Sequence, residues 1–73
     1  MKKTRFAKEY KKLAQKLKDV RKKAHIEQAE LAARLGKQQS YISKIETGNR
    51  HIDVFELKEL SRILKKDIHY FID

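Results

Sequence analysis

LGKQQSYISKIETGNR, residues 35–50, is the stretch on which the reading of this chain turns. Gly36 and Gly48 bracket a segment whose only aliphatic residues are Ile42 and Ile45. A spacing of three puts both on one side of a helix, roughly 60° apart at about 100° per residue. Ser43, Thr47, Ser40 and Lys44 then lie roughly 100–200° from Ile42, opposite the buried side. Gln39 falls in the first turn, at the edge between the two faces. A solvated helix in so charged a chain would carry Glu and Lys on its outer face. This one carries mostly short hydrogen-bonding groups, which let its backbone come close to another surface. Tyr41 sits on the flank, placed to pack against a neighbouring helix or a phosphate. The spacing predicts a helix over about 39–47.

The same helical spacing extends in both directions. Upstream, Leu31, Ala32 and Leu35 form the apolar side of a short helix that stops at Gly36, where a left-handed residue is wanted. Glu27 is expected to cap that helix, with Glu30 reaching back to free amides and Ile26 and Leu31 as a hydrophobic staple. Before it, Phe6, Tyr10, Leu13, Leu17, Val20 and Ala24 step by fours and threes, the stripe of one long helix. Downstream, Asp53 and Glu56 form a capping box flanked by Ile52 and Leu57. It opens a fourth helix with Val54, Leu57, Leu60, Ile63 and Leu64 on its apolar side. Asp67 caps a last short helix, Ile68 to Ile72. Proline is absent and strand-like alternation is missing, so the chain reads as all-α: a compact five-helix bundle, one domain over 1–73.

Seventy-three residues bury only a modest core, and a monomer of this size is stable by a few kcal/mol. The net charge is +9, and its placement is uneven. Residues 1–23 hold 11 Lys/Arg against Glu9 and Asp19, whereas residues 24–73 hold 8 against 8. The excess lies in a basic N-terminal extension of the first helix, at about 1–16, and in the rest of that helix. Such asymmetry points to a polyanionic partner, nucleic acid or an anionic membrane. There is no cysteine, so neither disulfides nor thiolate metal sites are available, which suits the cytoplasm. No apolar run reaches membrane-spanning length and no signal-peptide stretch follows the basic start. His25, His51 and His69 lack metal-ligand spacing, and no nucleophile–base pattern or phosphate-cradling glycine loop is present. No metal, cofactor or enzymatic activity is expected.

Two short helices joined by Gly36, Lys37 and Gln38 are a helix-turn-helix. The segment QAELAARLGKQQSYISKIETGNR, residues 28–50, resembles the Cro/phage-repressor (XRE) family of DNA-binding domains. Gln28, Glu30-Leu31-Ala32, Leu35-Gly36, Ile42-Ser43, Ile45-Glu46 and Gly48 carry that resemblance in order and spacing, within a match from about Leu17 to Ile72. The chain departs from the family pattern at Glu27, where a small hydroxyl residue is usual, and at Lys37, where an apolar one is. Lys65 and Lys66 stand where the family often has Gly and an apolar residue.

The resemblance implies sequence-specific binding of double-stranded DNA, with helix three in the major groove and a homodimer on a palindromic operator. Gln39, Ser40, Ser43 and Lys44 are the expected base readers: Gln pairs with adenine, Lys with guanine, and Ser with any base. Gln28 is implied to donate to a phosphate from the start of helix two, joined by Gln38 and by Asn49 and Arg50 after Gly48. Arg21 and Glu46 are implied to form a structural ion pair beneath the recognition helix. Ile68, Tyr70, Phe71 and Ile72, with Phe55, are the candidate dimer contacts; packing within the chain is the competing account, and both hold if Phe71 or Ile68 points inward while Tyr70 or Ile72 points out. Stand-alone domains of this kind resemble transcriptional repressors, restriction-modification controllers and antitoxins, the last binding a protein toxin as well. Membrane association through the amphipathic stretch 5–24 is the competing class; its apolar stripe is accounted for more simply as core.

Overall fold

The computed structural model describes residues 6–72. The first five residues of the basic N-terminal extension lie outside the described residues. Five helices follow in order: α1 Ala7–Lys23, α2 Gln28–Arg34, α3 Gln39–Glu46, α4 Val54–Ile63 and α5 Ile68–Ile72. No strand occurs among the described residues.

The turns that aim these helices share one mechanism. After α2, the Gly36 N–H donates to the Ala33 carbonyl and the Lys37 N–H to the Ala32 carbonyl, with Gly36 at φ +69°. That pair of bonds is the Schellman stop, which needs one left-handed residue. It recurs after α3, where Gly48 has φ +77° and the Asn49 N–H reaches the Lys44 carbonyl. It also recurs where no glycine exists. His25 at φ 59° ends α1, and Lys65 at φ 56° ends α4. The missing glycine after helix four therefore leaves the turn in place and strains Lys65 instead.

Helix starts are more varied. The expected capping box opens α4: Asp53 accepts from the Glu56 N–H at 2.8 Å, and Glu56 accepts from the Asp53 N–H at 3.0 Å. Asp67 accepts from the His69 N–H at 2.8 Å ahead of α5. The cap expected at Glu27 does not form, because its side chain makes no capping bond. Glu30 does not reach back either; it pairs forward with Arg34 along the solvent side of α2.

The core gathers Leu17 and Val20 of α1, Leu31 and Ala32 of α2, Ile42 and Ile45 of α3, Leu57 and Leu60 of α4, Leu64, and Phe71 of α5. Ile42 and Leu60 are the largest fully buried side chains, each worth about 1.5–3 kcal/mol of burial. Four expected apolar positions miss this core: Tyr10 stacks on the His51 ring instead, and three others are exposed. Phe6 lies at the very start of α1, Ala24 at its end, and Val54 on the first turn of α4, which projects into solvent. Ser61 takes an inward place on α4, its hydroxyl satisfied by the Leu57 carbonyl at 2.8 Å.

Candidate nucleic-acid interface

Ile42 and Ile45 of α3 face the core, Tyr41 and Glu46 are held by neighbouring elements, and the remaining four residues with Thr47 form the outer surface the spacing predicts. Gln39, Ser40, Lys44 and Thr47 are exposed, while Ser43 is half-buried. The Thr47 hydroxyl turns back to the carbonyls of Ser43 and Lys44, so it is spent on the helix end. Gln39, Ser40 and Lys44 remain exposed on the outer side of the helix, with the Gln39 amide held by Gln28.

Beneath that surface the ion pair between Arg21 and Glu46 is bidentate. Arg21 Nε donates to Glu46 Oε2 at 2.6 Å and Nη2 to Oε1 at 3.0 Å. A third guanidinium donor, Nη1, reaches the Ile26 carbonyl at 2.7 Å, which ties the turn before α2 to the same group. Gln28 Nε2 also donates to Glu46 Oε1 at 3.0 Å, and Gln39 Nε2 donates to Gln28 Oε1 at 3.2 Å. A continuous chain thus runs from the interior to the first turn of α3. One N–H of the Gln28 amide remains for an anion, because a carboxamide has two donors. Gln28 and Gln39 line a cleft of about 590 Å³ with Arg21, Lys22 and His25.

The other end of α3 is held differently. Arg50 donates to Glu56 through Nη1 at 3.2 Å and Nη2 at 2.9 Å, and its guanidinium lies 4.5 Å from the Tyr41 ring centre. The Tyr41 hydroxyl donates to Glu56 at 2.7 Å. Burial, reinforced by the Glu56 carboxylate, pushes the Tyr41 hydroxyl up to about 12. Arg50, the Asp53 N–H and Tyr41 together hold the Glu56 carboxyl down at about 2. Tyr41 therefore packs on the neighbouring helix, one of its two expected roles. Asn49 and Gln38 are exposed, beside the C-terminal and N-terminal ends of α3.

The candidate dimer segment divides. Phe71 is buried in the core of its own chain, and Ile68 is half-buried against it, because α5 is too short to cover α1 and α4 without them. Phe71 is thus no surface contact. Tyr70 and Ile72 face out, and Phe55, 74 % exposed, is the most exposed large apolar side chain among the described residues. Glu56 escaped the sequence reading as a site residue because its capping role alone explained it. The contacts that α1 makes near Gly48 carried no signal at all.

The helix-turn-helix family matches residues 17–71. Among solved structures, the restriction-modification controller protein C.AhdI from Aeromonas hydrophila superposes with a TM-score of 0.85 at 22 % identity. The match covers 93 % of this chain and 99 % of that one. No curated protein matches the chain. With the family matched over most of its length, and with α2, the Gly36 turn and α3 in place, the chain belongs to the XRE-type helix-turn-helix family of DNA-binding regulators.

Proposed function

We propose that this protein is a transcriptional repressor that binds a palindromic DNA operator as a homodimer, with α3 in the major groove. The observation that carries the reading is the fixed Gln39. Its amide is braced by Gln28, and Gln28 by the buried Glu46, so a side chain aimed into the groove does not wander. Gln39, Ser40, Ser43 and Lys44 read base edges, with Gln39 suited to adenine and Lys44 to guanine. Gln28, Gln38 and Asn49 contact phosphates. Arg50 reaches the same backbone from its pair with Glu56, since a guanidinium has five N–H donors and keeps some to spare. Tyr70 and Ile72 of α5, joined by the exposed Phe55 of α4, form the surface on which two copies pair and set the half-site spacing.

A second reading is favoured by one observation. The likeness to a restriction-modification controller in fold and length supports a restriction-modification controller. A methylase gene beside this one would favour that role, and a toxin gene an antitoxin. Enriched-site selection from random-sequence DNA tests the DNA reading directly. A palindrome with half-sites about one helical turn apart is expected. Recovery of no preferred sequence by the folded protein would overturn it.

A further inference from the structure

Arginine and lysine divide their work in this fold. Each arginine of the described residues is committed to a carboxylate: Arg21 to Glu46, Arg34 to Glu30, Arg50 to Glu56 and Arg62 to Glu59. Lys11, Lys18 and Lys22 of α1 make no ion pair among the described residues. Seven and four residues apart, they occupy one flank of α1 and span about 16 Å.

Both ends of that flank touch the proposed DNA surface. At one end the Lys11 stem passes the stop of α3, its Cγ 3.8 Å from where a β-carbon on Gly48 would stand. Tyr10, the preceding residue, stacks on His51 with ring centres 4.0 Å apart and planes within 3°. That stack fixes the first half of α1 against the loop carrying Asn49 and Arg50. At the other end Lys22 lines the cleft that holds Gln28 and Gln39. The opposite flank of α1 faces α5, where Lys16 Nζ donates to the Tyr70 carbonyl at 3.0 Å.

We propose that Lys11, Lys18 and Lys22 form a phosphate-binding ridge, which continues the DNA surface from α3 along α1 and follows the backbone of double-stranded DNA. It rests on the DNA-binding reading above and adds contacts that carry no sequence information. The row is matched to a polyanion with closely spaced charges, since a duplex presents one phosphate about every 3.4 Å of axis per strand. A bilayer fits less well, because the apolar stripe of α1 is already taken up inside the domain: Ala14, Leu17 and Val20 are buried and Leu13 packs against the core.

The test compares two triple variants of equal charge. Lys11→Gln/Lys18→Gln/Lys22→Gln removes the ridge. Lys8→Gln/Lys12→Gln/Lys23→Gln removes three exposed lysines from the outer face of the same helix. Binding to a long random-sequence duplex is titrated at several salt concentrations, with helicity followed by circular dichroism. The ridge variant is expected to lose about 0.9 per lysine from the slope of log K against log salt, and affinity about tenfold or more beyond the control. Equal slopes and affinities for the two variants would overturn the ridge while leaving the DNA reading standing. A wild type that binds no duplex would overturn both. Wild-type binding to phosphatidylserine vesicles that the ridge variant loses, with DNA affinity unchanged, would assign the face to a membrane and overturn the proposal. Should the ridge variant unfold because Lys18 is half-buried, Lys11→Gln/Lys22→Gln removes only exposed groups and is read against Lys8→Gln/Lys12→Gln.

Discussion

Two arginine–glutamate pairs hold the recognition helix, and they differ in what surrounds them. Arg21 and Glu46 lie under α3 with side chains 8 % and 3 % exposed, whereas Arg50 and Glu56 lie beyond its end at 37 % and 21 %. Both are bidentate, so contact geometry does not separate them. Desolvation does. A charge buried without its partner costs several kcal/mol, while a partly exposed one is rehydrated and screened. The connections differ as well. Glu46 passes its hydrogen bonding on to Gln28 and Gln39, at the reading surface. Glu56 passes its own to Tyr41 and to the cap of α4, inside the scaffold. One pair ties the helix to the polar surface proposed to meet DNA; the other fastens the helix to the domain.

Breaking each pair from the same side gives the largest expected difference. Glu46→Ala strands a buried guanidinium and should destabilise the domain by about 3–5 kcal/mol, enough to unfold much of so small a protein. Glu56→Ala should cost about 1–2 kcal/mol, from one cap and one partly exposed pair. Urea denaturation of the two variants measures both. Equal losses would mean that burial does not separate the two pairs.

The reading surface sharpens the comparison at the next level. Gln39→Ala and Lys44→Ala should each lose about 1–3 kcal/mol of discrimination at particular base pairs, with little change in stability. Gln28→Ala is expected to do two things at once. It weakens every sequence by removing a phosphate donor, and it relaxes preference at the base pair read by Gln39, which it otherwise holds. A panel of single-base operator variants separates these effects. If Gln28→Ala weakens all sequences by one common factor, the link from Gln28 to Gln39 has no part in recognition.

Acid probes the exposed pair. The Glu56 carboxyl is depressed from 4.5 to about 2 in the folded state, chiefly by Arg50. A depressed carboxyl contributes stability above its unfolded value, and that contribution is lost as the pH falls. The window therefore runs from about 4.5 down to about 2. The loss should be about 1 kcal/mol after allowance for solvent screening. Glu56→Gln should flatten this part of the acid-unfolding curve. An unchanged curve in that variant would place the acid sensitivity elsewhere.

Helix order, both glycine stops, the capping box and the outward polar face of α3 were legible because each rests on residues close in sequence. Ile42 and Ile45 announce the buried side of α3 three residues apart, and Asp53 and Glu56 announce the start of α4 in the same way. The XRE resemblance extended this reach to the pairing of Arg21 with Glu46, 25 residues apart, which periodicity alone would not have joined. What stayed hidden depends on competition between partners. Glu30 could serve a helix start or Arg34, and Arg34 prevails. Arg50 could face a phosphate or Glu56, and in the free protein Glu56 holds it. The stacking of Tyr10 on His51 joins residues 41 apart with no shared pattern. Whether Phe71 or Ile68 turns inward stayed open because it depends on how α5 sits on α4 and on α1, the latter far from it in sequence.

The smallest predicted effect concerns the stops of the helices, where glycine and non-glycine turns can be compared directly. Gly36 and Lys65 occupy equivalent positions at φ +69° and 56°, so the backbone asks the same of both. A residue with a β-carbon is penalised there by about 1–2 kcal/mol. Glycine escapes that strain but surrenders more chain entropy on folding, a loss of roughly 0.5–1 kcal/mol. Lys65→Gly should therefore raise stability by about 0.5–1 kcal/mol, and Gly36→Ala should lower it by about 1 kcal/mol. Lys65 is exposed and belongs to no ion pair among the described residues, so removing its side chain forfeits little else. It also lies on the far end of α4 from the recognition helix, and DNA affinity should stay unchanged. His25→Gly relieves the same strain at the end of α1, but His25 lines the cleft with Gln28 and Gln39. Its stability gain should match that of Lys65→Gly while its effect on DNA binding differs. Thermal unfolding and salt-dependent DNA titration of the two variants measure both quantities. A loss of stability in Lys65→Gly would mean that the lysine side chain contributes more to the turn than its backbone strain removes.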